Sequence, residues 1–205
     1  MKILTYRLGM AHTNCYLIYD EKSNKACLID PAVYDEKIMG VIFSKELTVE
    51  YIILTHGHFD HILGANKFRE KTGAKIVSHE IETEYLENPD KSLTSIRSGE
   101  TVSADILLKE NDVLTFGDIS LRVIHTPGHT KGSCCFVCGS EKIMFSGDTL
   151  FKNSIGRYDL YGGNYDILMK SLQKIKNLKE NYKIYPGHGD NTTLDREISG
   201  NPYLN

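Results

Sequence analysis

The chain has 205 residues, of which 40% are hydrophobic and 25% are charged, and its formal net charge is −3. This is the composition of a soluble globular protein, and it lacks the basic balance that marks a nucleic-acid-binding surface. No segment approaches the ~18 consecutive apolar residues of a membrane span, and the N-terminus has no features of a secretory signal. We therefore expect one domain over residues 1–205, in the cytoplasm, that binds neither nucleic acid nor membrane; its oligomeric state is left open.

The first part of the chain alternates strands and helices. Runs in which β-branched and aromatic residues alternate with polar ones predict strands at 2–8, 13–19 and 25–30. Apolar residues at helical spacing predict a helix over 34–46, and the continuous apolar run 51–54 predicts a strand covered on both faces. One helix is expected from about residue 60 to 71, with Gly73 as its C-terminal cap, and a strand at 75–78 follows.

The second part of the chain shows the same mixture without a recognisable sequence repeat. The polar stretch 79–103 is expected to form a short helix and a loop that overhangs the active site. Strands are predicted at 113–115, 119–125, 133–138, 142–146 and 183–185. Helices are predicted over 165–179 and from about residue 193.

Residues 55–61 read Thr-His-Gly-His-Phe-Asp-His, a dense run of metal-binding side chains. Such groups cost free energy to bury without partners, so the run is poor material for a hydrophobic core. Three later segments each add one ligand, which makes the candidates His56, His58, Asp60, His61, His129, Asp148 and His188. Each of the four segments follows an apolar strand, and loops at strand ends are where α/β folds assemble sites from distant parts of the sequence.

Imidazole nitrogen and carboxylate oxygen suit zinc, and they also suit iron or manganese. Seven ligands are too many for one tetrahedral zinc and fit two ions that share a carboxylate. Alternate residues of an extended segment point to one side, so His56 and His58 can bind the same ion, whereas Asp60 and His61 fit a second one. Two ions ~3.5–4 Å apart can hold a bridging hydroxide and polarise a carbonyl or phosphoryl oxygen.

Other polar residues have less decisive patterns. His79 is expected to be exposed after a helix cap at Ser78, and His125 to pack beside the site rather than to bind metal. His12 lies in a loop, and whether it lines the pocket stays open. Asp30 either accepts a hydrogen bond from a ligand histidine through its carboxylate or forms a turn before Pro31.

The five cysteines are an odd number, which excludes a complete disulfide framework. Cys135 and Cys138 have zinc-binding spacing, but the chain has no second Cys pair to close such a site. The segment 134–138 also reads as a buried strand, in which reduced cysteine packs as a small apolar residue. We expect all five to belong to the core.

Four motifs in this order resemble those of the metallo-β-lactamase-fold hydrolase superfamily: THGHFDH at 55–61, HTPGHT at 125–130, SGDTLF at 146–151 and PGHGD at 186–190. More narrowly, the chain resembles the small glyoxalase II-like (hydroxyacylglutathione hydrolase-like) branch, over nearly its whole length. The resemblance implies a layered α/β protein, a four-layer αββα sandwich with the site along the edge of the sheets.

The resemblance also implies roles for the seven candidate ligands. His56, His58 and His129 would bind one divalent ion, and Asp60, His61 and His188 a second, with Asp148 as the bridge. Zinc is the expected metal, with iron or manganese as alternatives. A bridging hydroxide would attack the carbonyl of a thioester or small ester, and Asp60 would act as a catalytic residue that orients the nucleophile or carries its proton.

The substrate is less defined. The resemblance implies that Arg157 binds the carboxylate of glutathione. The alternative is that Arg157 forms an ion pair with Asp159. The chain ends soon after His188, where a C-terminal helical domain that helps bind glutathione would follow, so another acyl thioester, a lactone or a small ester stays open. Two other functions also stay open, a mononuclear Fe(II) persulfide dioxygenase and a non-catalytic binding protein. β-Lactam hydrolysis is disfavoured because no export signal is evident.

Overall fold

The computed structural model describes residues 1–204 and contains two six-stranded sheets. The first sheet has the strand order β1-β2-β3-β4-β5-β6. Its strands are β1 Lys2–Leu8, β2 Thr13–Tyr19, β3 Lys25–Ile29, β4 Thr48–Ile53, β5 Lys75–His79 and β6 Ile106–Leu108. Strands β1 to β3 pair antiparallel, whereas β3 to β6 pair parallel.

The second sheet has the order β14-β13-β10-β9-β8-β7. Its strands are β7 Val113–Phe116, β8 Ile119–His125, β9 Cys134–Cys138, β10 Ile143–Gly147, β13 Lys183–Pro186 and β14 Thr192–Thr193. A two-stranded ribbon pairs β11 Leu150–Phe151 with β12 Ser154–Ile155. The α-helices are α1 Glu36–Ser44, α2 Phe59–Ile62, α3 Ala65–Thr72, α4 Thr83–Leu86, α5 Tyr165–Lys176 and α6 Leu194–Gly200.

Three apolar layers hold these elements together. The period-two geometry of a strand sends Tyr16 and Ile18 of β2 into the layer between the two sheets and Leu17 to the opposite face. That opposite face packs against α1 and α3, and the outer face of the second sheet packs against α5 and α6. The order of layers is therefore helix, sheet, sheet, helix, which confirms the predicted αββα sandwich.

The predicted single helix over 60–71 is wrong, because the chain breaks there into α2 and α3. Gly64 lies at the break, and its N–H donates to the carbonyl oxygen of Pro31 at 2.8 Å. A Cβ at this position would lie 2.6 Å from the same oxygen, so only glycine permits this approach. The C-terminal cap at Gly73 is confirmed, with φ of 72° and its N–H bonded to Arg69.

Other boundaries differ by a few residues, and the short strands β6, β11, β12 and β14 have no counterpart in the prediction. The stretch 79–103 contains the 3₁₀ turns Glu80–Glu82 and Thr94–Ile96 and helix α4. Its loop is tied to the base of the site, since the N–H of Phe59 donates to the carbonyl oxygen of Ser92 at 2.8 Å.

The prediction that His79 is exposed is wrong. Strand β5 extends through His79, whose side chain is buried and caps the following turn by accepting from the N–H of Ile81. The ring stacks on that of His125, with centroids 4.2 Å apart. The five cysteines are all reduced and buried, as predicted. None of the helices in residues 1–204 has the length and apolar character needed to cross a bilayer.

Candidate metal centre

The seven candidate ligands, although spread over 133 positions of the sequence, meet at one edge of the sandwich. They form three overlapping trios in which the ligand atoms lie within 4.8 Å of one another. The trios are His56, His58 and His129; His56, His61 and Asp148; and Asp60, His61 and His188. The parallel strands β3, β4 and β5 run in the same direction, and this brings Asp30 to the edge at which the segment 55–61 begins.

The first trio is made of three buried imidazoles. Nε2 of His129 lies 3.2 Å from Nε2 of His56 and 2.9 Å from Nδ1 of His58. Burial lowers the pKa of all three rings, and it lowers that of His58 to about 3, so they are neutral near pH 7. A neutral imidazole has one nitrogen with a free lone pair, which is the form that binds a metal.

Hydrogen bonds around Asp30 fix the orientation of two of the rings. Oδ2 of Asp30 accepts from Nδ1 of His61 at 2.9 Å and from the hydroxyl of Thr55 at 2.7 Å. Because the hydroxyl proton of Thr55 is used in this way, its oxygen accepts from Nδ1 of His56, 3.1 Å away. Both rings therefore carry a proton on Nδ1 and turn Nε2 towards the cluster.

Main-chain carbonyl groups fix the orientation of two more rings in the same way. Nδ1 of His129 donates to the carbonyl oxygen of Arg157 at 2.7 Å, and Nδ1 of His188 donates to that of Ala11 at 3.2 Å. A carbonyl oxygen only accepts, so Nδ1 of each ring carries a proton and Nε2 faces inward. His58 is the exception, because its Nδ1 faces the cluster and its buried Nε2 has no partner within residues 1–204.

Asp148 touches both ends of the cluster. Its Oδ2 lies 3.7 Å from Nε2 of His129 and 3.4 Å from Nε2 of His188, and its Oδ1 lies 3.4 Å from Nε2 of His61. Oδ1 is buried without a hydrogen-bond partner in the described part of the chain. Gly187 permits this placement, since a Cβ there would lie 2.1 Å from the same oxygen. An unpaired buried carboxylate oxygen beside inward-facing imidazole nitrogens fits a cation between them.

The trio of Asp60, His61 and His188 contains charged groups, whereas the three imidazoles of the first trio are neutral. Asp60 Oδ2 lies 3.2 Å from Nε2 of His188. Burial alone would lower the pKa of His61, but the charges of Asp148, Asp60 and Asp30 outweigh it and raise the pKa to about 9. The same balance, with hydrogen bonds to Asp148 and Asp60, raises the pKa of His188 to about 10. The acidic side of the cluster therefore attracts positive charge, which protons or a metal can supply.

A cavity of about 380 Å³ opens above the cluster. Its walls include Phe59, Leu93 and Phe151 beside the candidate ligands. Arg157 also lines it, and its exposed guanidinium donates to both carboxylate oxygens of Asp159, at 2.8 and 3.0 Å. The ion pair considered for Arg157 is thus present, at a position from which the side chain also faces the cavity.

The other histidines stay outside the cluster. His12 is exposed in the turn between β1 and β2. His125 bonds the carbonyl oxygen of Lys131 through Nε2 and stacks on His79, which is the packing role predicted for it.

Glu82 is a site residue that sequence reasoning missed. Its side chain is fully buried, and Oε1 accepts from the hydroxyl of Thr130 at 2.6 Å and from the N–H of Gly132 at 2.7 Å. Oε2 accepts from the N–H of Gly57 at 2.6 Å. Burial raises the pKa of Glu82 to about 7 against these three donors. The carboxylate joins the loop of His56 and His58 to the loop that follows His129.

Residues 8–188 match the family model described as the metallo-beta-lactamase superfamily. The chain is 35% identical to the probable metallo-hydrolase YqgX of Bacillus subtilis, covering 100% of this chain and 98% of that protein. It is 32% identical to the hydroxyacylglutathione hydrolase GloC of Haemophilus influenzae, covering 94% and 92% of the two chains.

Three solved structures superpose on nearly the whole chain. BLEG-1 B3 metallo-beta-lactamase superposes with a TM-score of 0.91 at 36% identity, over 99% of both chains. TTHA1623 in a di-iron-bound form gives 0.84 at 32% identity, over 98% of this chain and 100% of that one. ETHE1 from Myxococcus xanthus gives 0.83 at 27% identity, over 98% and 84%.

Proposed function

The chain belongs to the metallo-beta-lactamase superfamily, and from this premise we propose that it is a metal-dependent hydrolase of small thioesters or related esters. The observation that carries the proposal is the convergence of imidazole Nε2 atoms on one space. Four rings have Nδ1 held by an outward acceptor, and their Nε2 atoms face the same space as the unpaired Oδ1 of Asp148. Such preorganised donors are typical of a metal centre with oriented ligands.

We assign the ligands as follows. His56, His58 and His129 hold one divalent ion, Asp60, His61 and His188 hold a second, and Asp148 reaches both. This donor set suits zinc and equally suits iron, which the di-iron form of TTHA1623 contains.

When bound, a pair of divalent ions supplies an activated water at neutral pH and polarises a carbonyl oxygen. The residues of the chain supply position and proton transfer. The carboxylate of Asp60, whose Oδ2 lies 3.5 Å from the hydroxyl of Thr13, stays ionised, because His61 and His188 keep its pKa below its usual range despite burial. It can accept the proton of the attacking water and return it to the leaving thiolate. Phe59 and Leu93 give the cavity apolar walls beside these groups.

The thioester is the finer part of the proposal. GloC, which is related over nearly the whole chain, is named for hydroxyacylglutathione hydrolysis, and this supports a glutathione thioester as the first substrate to test. Arg157 at the cavity wall supports an anionic substrate, since guanidinium binds carboxylates well. YqgX is named only as a probable metallo-hydrolase, and BLEG-1 as a metallo-beta-lactamase, so other acyl thioesters, a lactone and a β-lactam belong in the same panel.

One observation favours a second candidate, a mononuclear Fe(II) dioxygenase that oxidises persulfides. His56, His61 and Asp148 form a trio of two imidazoles and one carboxylate, the ligand set typical of non-haem iron oxygenases. A non-catalytic binding protein is the third candidate.

The test combines metal content with turnover. Protein purified without chelator or oxygen is analysed for metals per chain and assayed for hydrolysis and for oxygen uptake. Two equivalents of zinc or of a mixed pair, with hydrolysis lost in His129→Ala, support the proposal. The matched control is His12→Asn, which changes an exposed histidine outside the cluster and should leave both readouts unchanged. One equivalent of iron with oxygen uptake supports the dioxygenase, and bound metal without any turnover supports the binding protein.

A further inference from the structure

A second, smaller cavity of about 130 Å³ lies directly beside the cavity above the metal cluster. Ala11, Phe59 and Asp60 line both spaces. The remaining walls are mainly apolar, and they come from the turn between β1 and β2, from Val33 and from Leu63 at the end of α2. We call this space the apolar recess. The two spaces therefore adjoin along the side chains of Phe59 and Asp60.

The size of the recess restricts its occupant. An apolar cavity of ~150 Å³ is large enough to bind benzene. At about 130 Å³ the recess has the size of one ring or a short alkyl chain. The apolar walls leave few polar partners for a water molecule, so an apolar substituent is favoured over water there.

The guanidinium group of Arg97 lies at the edge of the recess. The guanidinium carbon of Arg97 lies 5.4 Å from the centre of the Phe59 ring, and the side chain is exposed. Arg157 is paired with Asp159, whereas Arg97 forms no ion pair with an acidic side chain of residues 1–204. An unpaired guanidinium held against an aromatic ring is well suited to bind a carboxylate.

One loop connects the two spaces. Leu93 lines the cavity above the cluster, and Arg97 lines the recess, on either side of the turn Thr94–Ile96. The bond between Phe59 N–H and Ser92 holds this loop to α2.

Resting on the proposed function, we propose that the recess and Arg97 select the acyl part of the substrate. The preferred substrate is a thioester whose acyl group has a short apolar segment and ends in a carboxylate. The apolar segment occupies the recess, and the terminal carboxylate binds Arg97. Addition of water across the C–S bond then yields a dicarboxylic acid and a thiol.

The first experiment measures binding to the metal-loaded protein, independently of turnover. Phenylacetate combines a ring with a carboxylate, benzyl alcohol has the ring alone, and acetate has the carboxylate alone. We expect phenylacetate to bind at least about 10-fold more tightly than either, by calorimetry. Val33→Phe, which fills the recess, should abolish this gain, and Arg97→Gln should reduce phenylacetate to the level of benzyl alcohol.

Two matched controls should bind all three probes as the wild type does. Val113→Phe adds the same ring at an exposed position of β7, and Arg196→Gln removes an exposed arginine of α6. Equal binding of phenylacetate and acetate, or a loss in the control variants, would overturn the proposal. Arg97 is exposed, so its variant keeps the test available if Val33→Phe does not fold.

The second experiment measures turnover of three thioesters of one thiol, with acetyl, pentanoyl and glutaryl groups. We expect kcat/KM to be highest for glutaryl, and Arg97→Gln to raise its KM by about 10-fold with little change for pentanoyl. Hydrolysis of all three at equal kcat/KM would refute the recess proposal alone. If none is hydrolysed, the proposed function fails, and the binding experiment still decides the role of the recess.

Discussion

Replacement of Glu82 tests whether an interior carboxylate holds the metal-binding loops together. It accepts three hydrogen bonds, from Gly57, Thr130 and Gly132, which lie 25, 48 and 50 positions away in the sequence. Glu82→Ala removes every acceptor, whereas Glu82→Gln retains one oxygen and places an amide N–H2 where the N–H of Gly57 now donates.

The magnitude follows from the number of donors left without an acceptor. Each buried unsatisfied donor costs about 1–3 kcal/mol. Glu82→Gln leaves the N–H of Gly57 unpaired and should lower the free energy of unfolding by about that amount. Glu82→Ala leaves three donors unpaired, for a cost of about 3–9 kcal/mol, which approaches the whole ~5–15 kcal/mol stability of a typical protein. Because loss of such supporting bonds weakens metal binding ~10–100-fold, the trio His56, His58 and His129 should bind its ion more weakly in Glu82→Gln.

The assay is denaturant unfolding at pH 8, above the pKa of about 7 for Glu82, with metal affinity measured on the same samples. Glu84→Gln is the matched control, because Glu84 lies on the adjoining helix and pairs near the surface with Lys91 and Lys131. Such partly exposed pairs contribute about 0–1 kcal/mol. If Glu82→Gln loses no more stability and metal affinity than Glu84→Gln, the carboxylate does not hold the loops and the reasoning is refuted.

Four other predictions concern the site and the buried cysteines. Asp148→Asn should weaken both metal ions, whereas His188→Ala should chiefly weaken one, as measured by metal titration; equal losses would contradict the bridge. The pKa values of His61 and His188 are raised to about 9 and about 10 in the metal-free protein. A metal ion that binds between these two rings must therefore displace protons, and the affinity for the metal should rise with pH up to those values. Calorimetry in buffers of different ionisation enthalpy measures the number of protons released on metal binding. Metal binding without proton release would contradict the prediction. Arg157→Ala should raise KM for anionic thioesters without changing metal content, and an unchanged KM would leave only the ion pair with Asp159. Cys135→Ala should lower stability by about 1 kcal/mol for the lost buried atom and spare kcat, and a large fall in kcat would assign the thiol a catalytic role.

The secondary structure was largely predictable because its causes are local. The alternation along 13–19 and the apolar run before His56 are visible in a few neighbouring residues, and both became strands. Gly73 ended its helix for an equally local reason, since glycine readily takes the positive φ of a C-terminal cap. The break at Gly64 was not predictable, because it depends on the approach of Pro31 from a distant part of the sequence.

The same division applies to the site. Seven side chains of metal-binding chemistry could be recognised singly, since imidazole and carboxylate are expensive to bury without a partner. The sequence alone left open whether Asp30 turns the chain or orients a ring; the fold places it 2.9 Å from His61. Glu82 and Arg97 have no sequence pattern that marks them, and their neighbours became visible only in three dimensions. The chemistry of the site resides in residue types, which the sequence states, whereas its geometry depends on long-range contacts that only the packing of the two sheets creates.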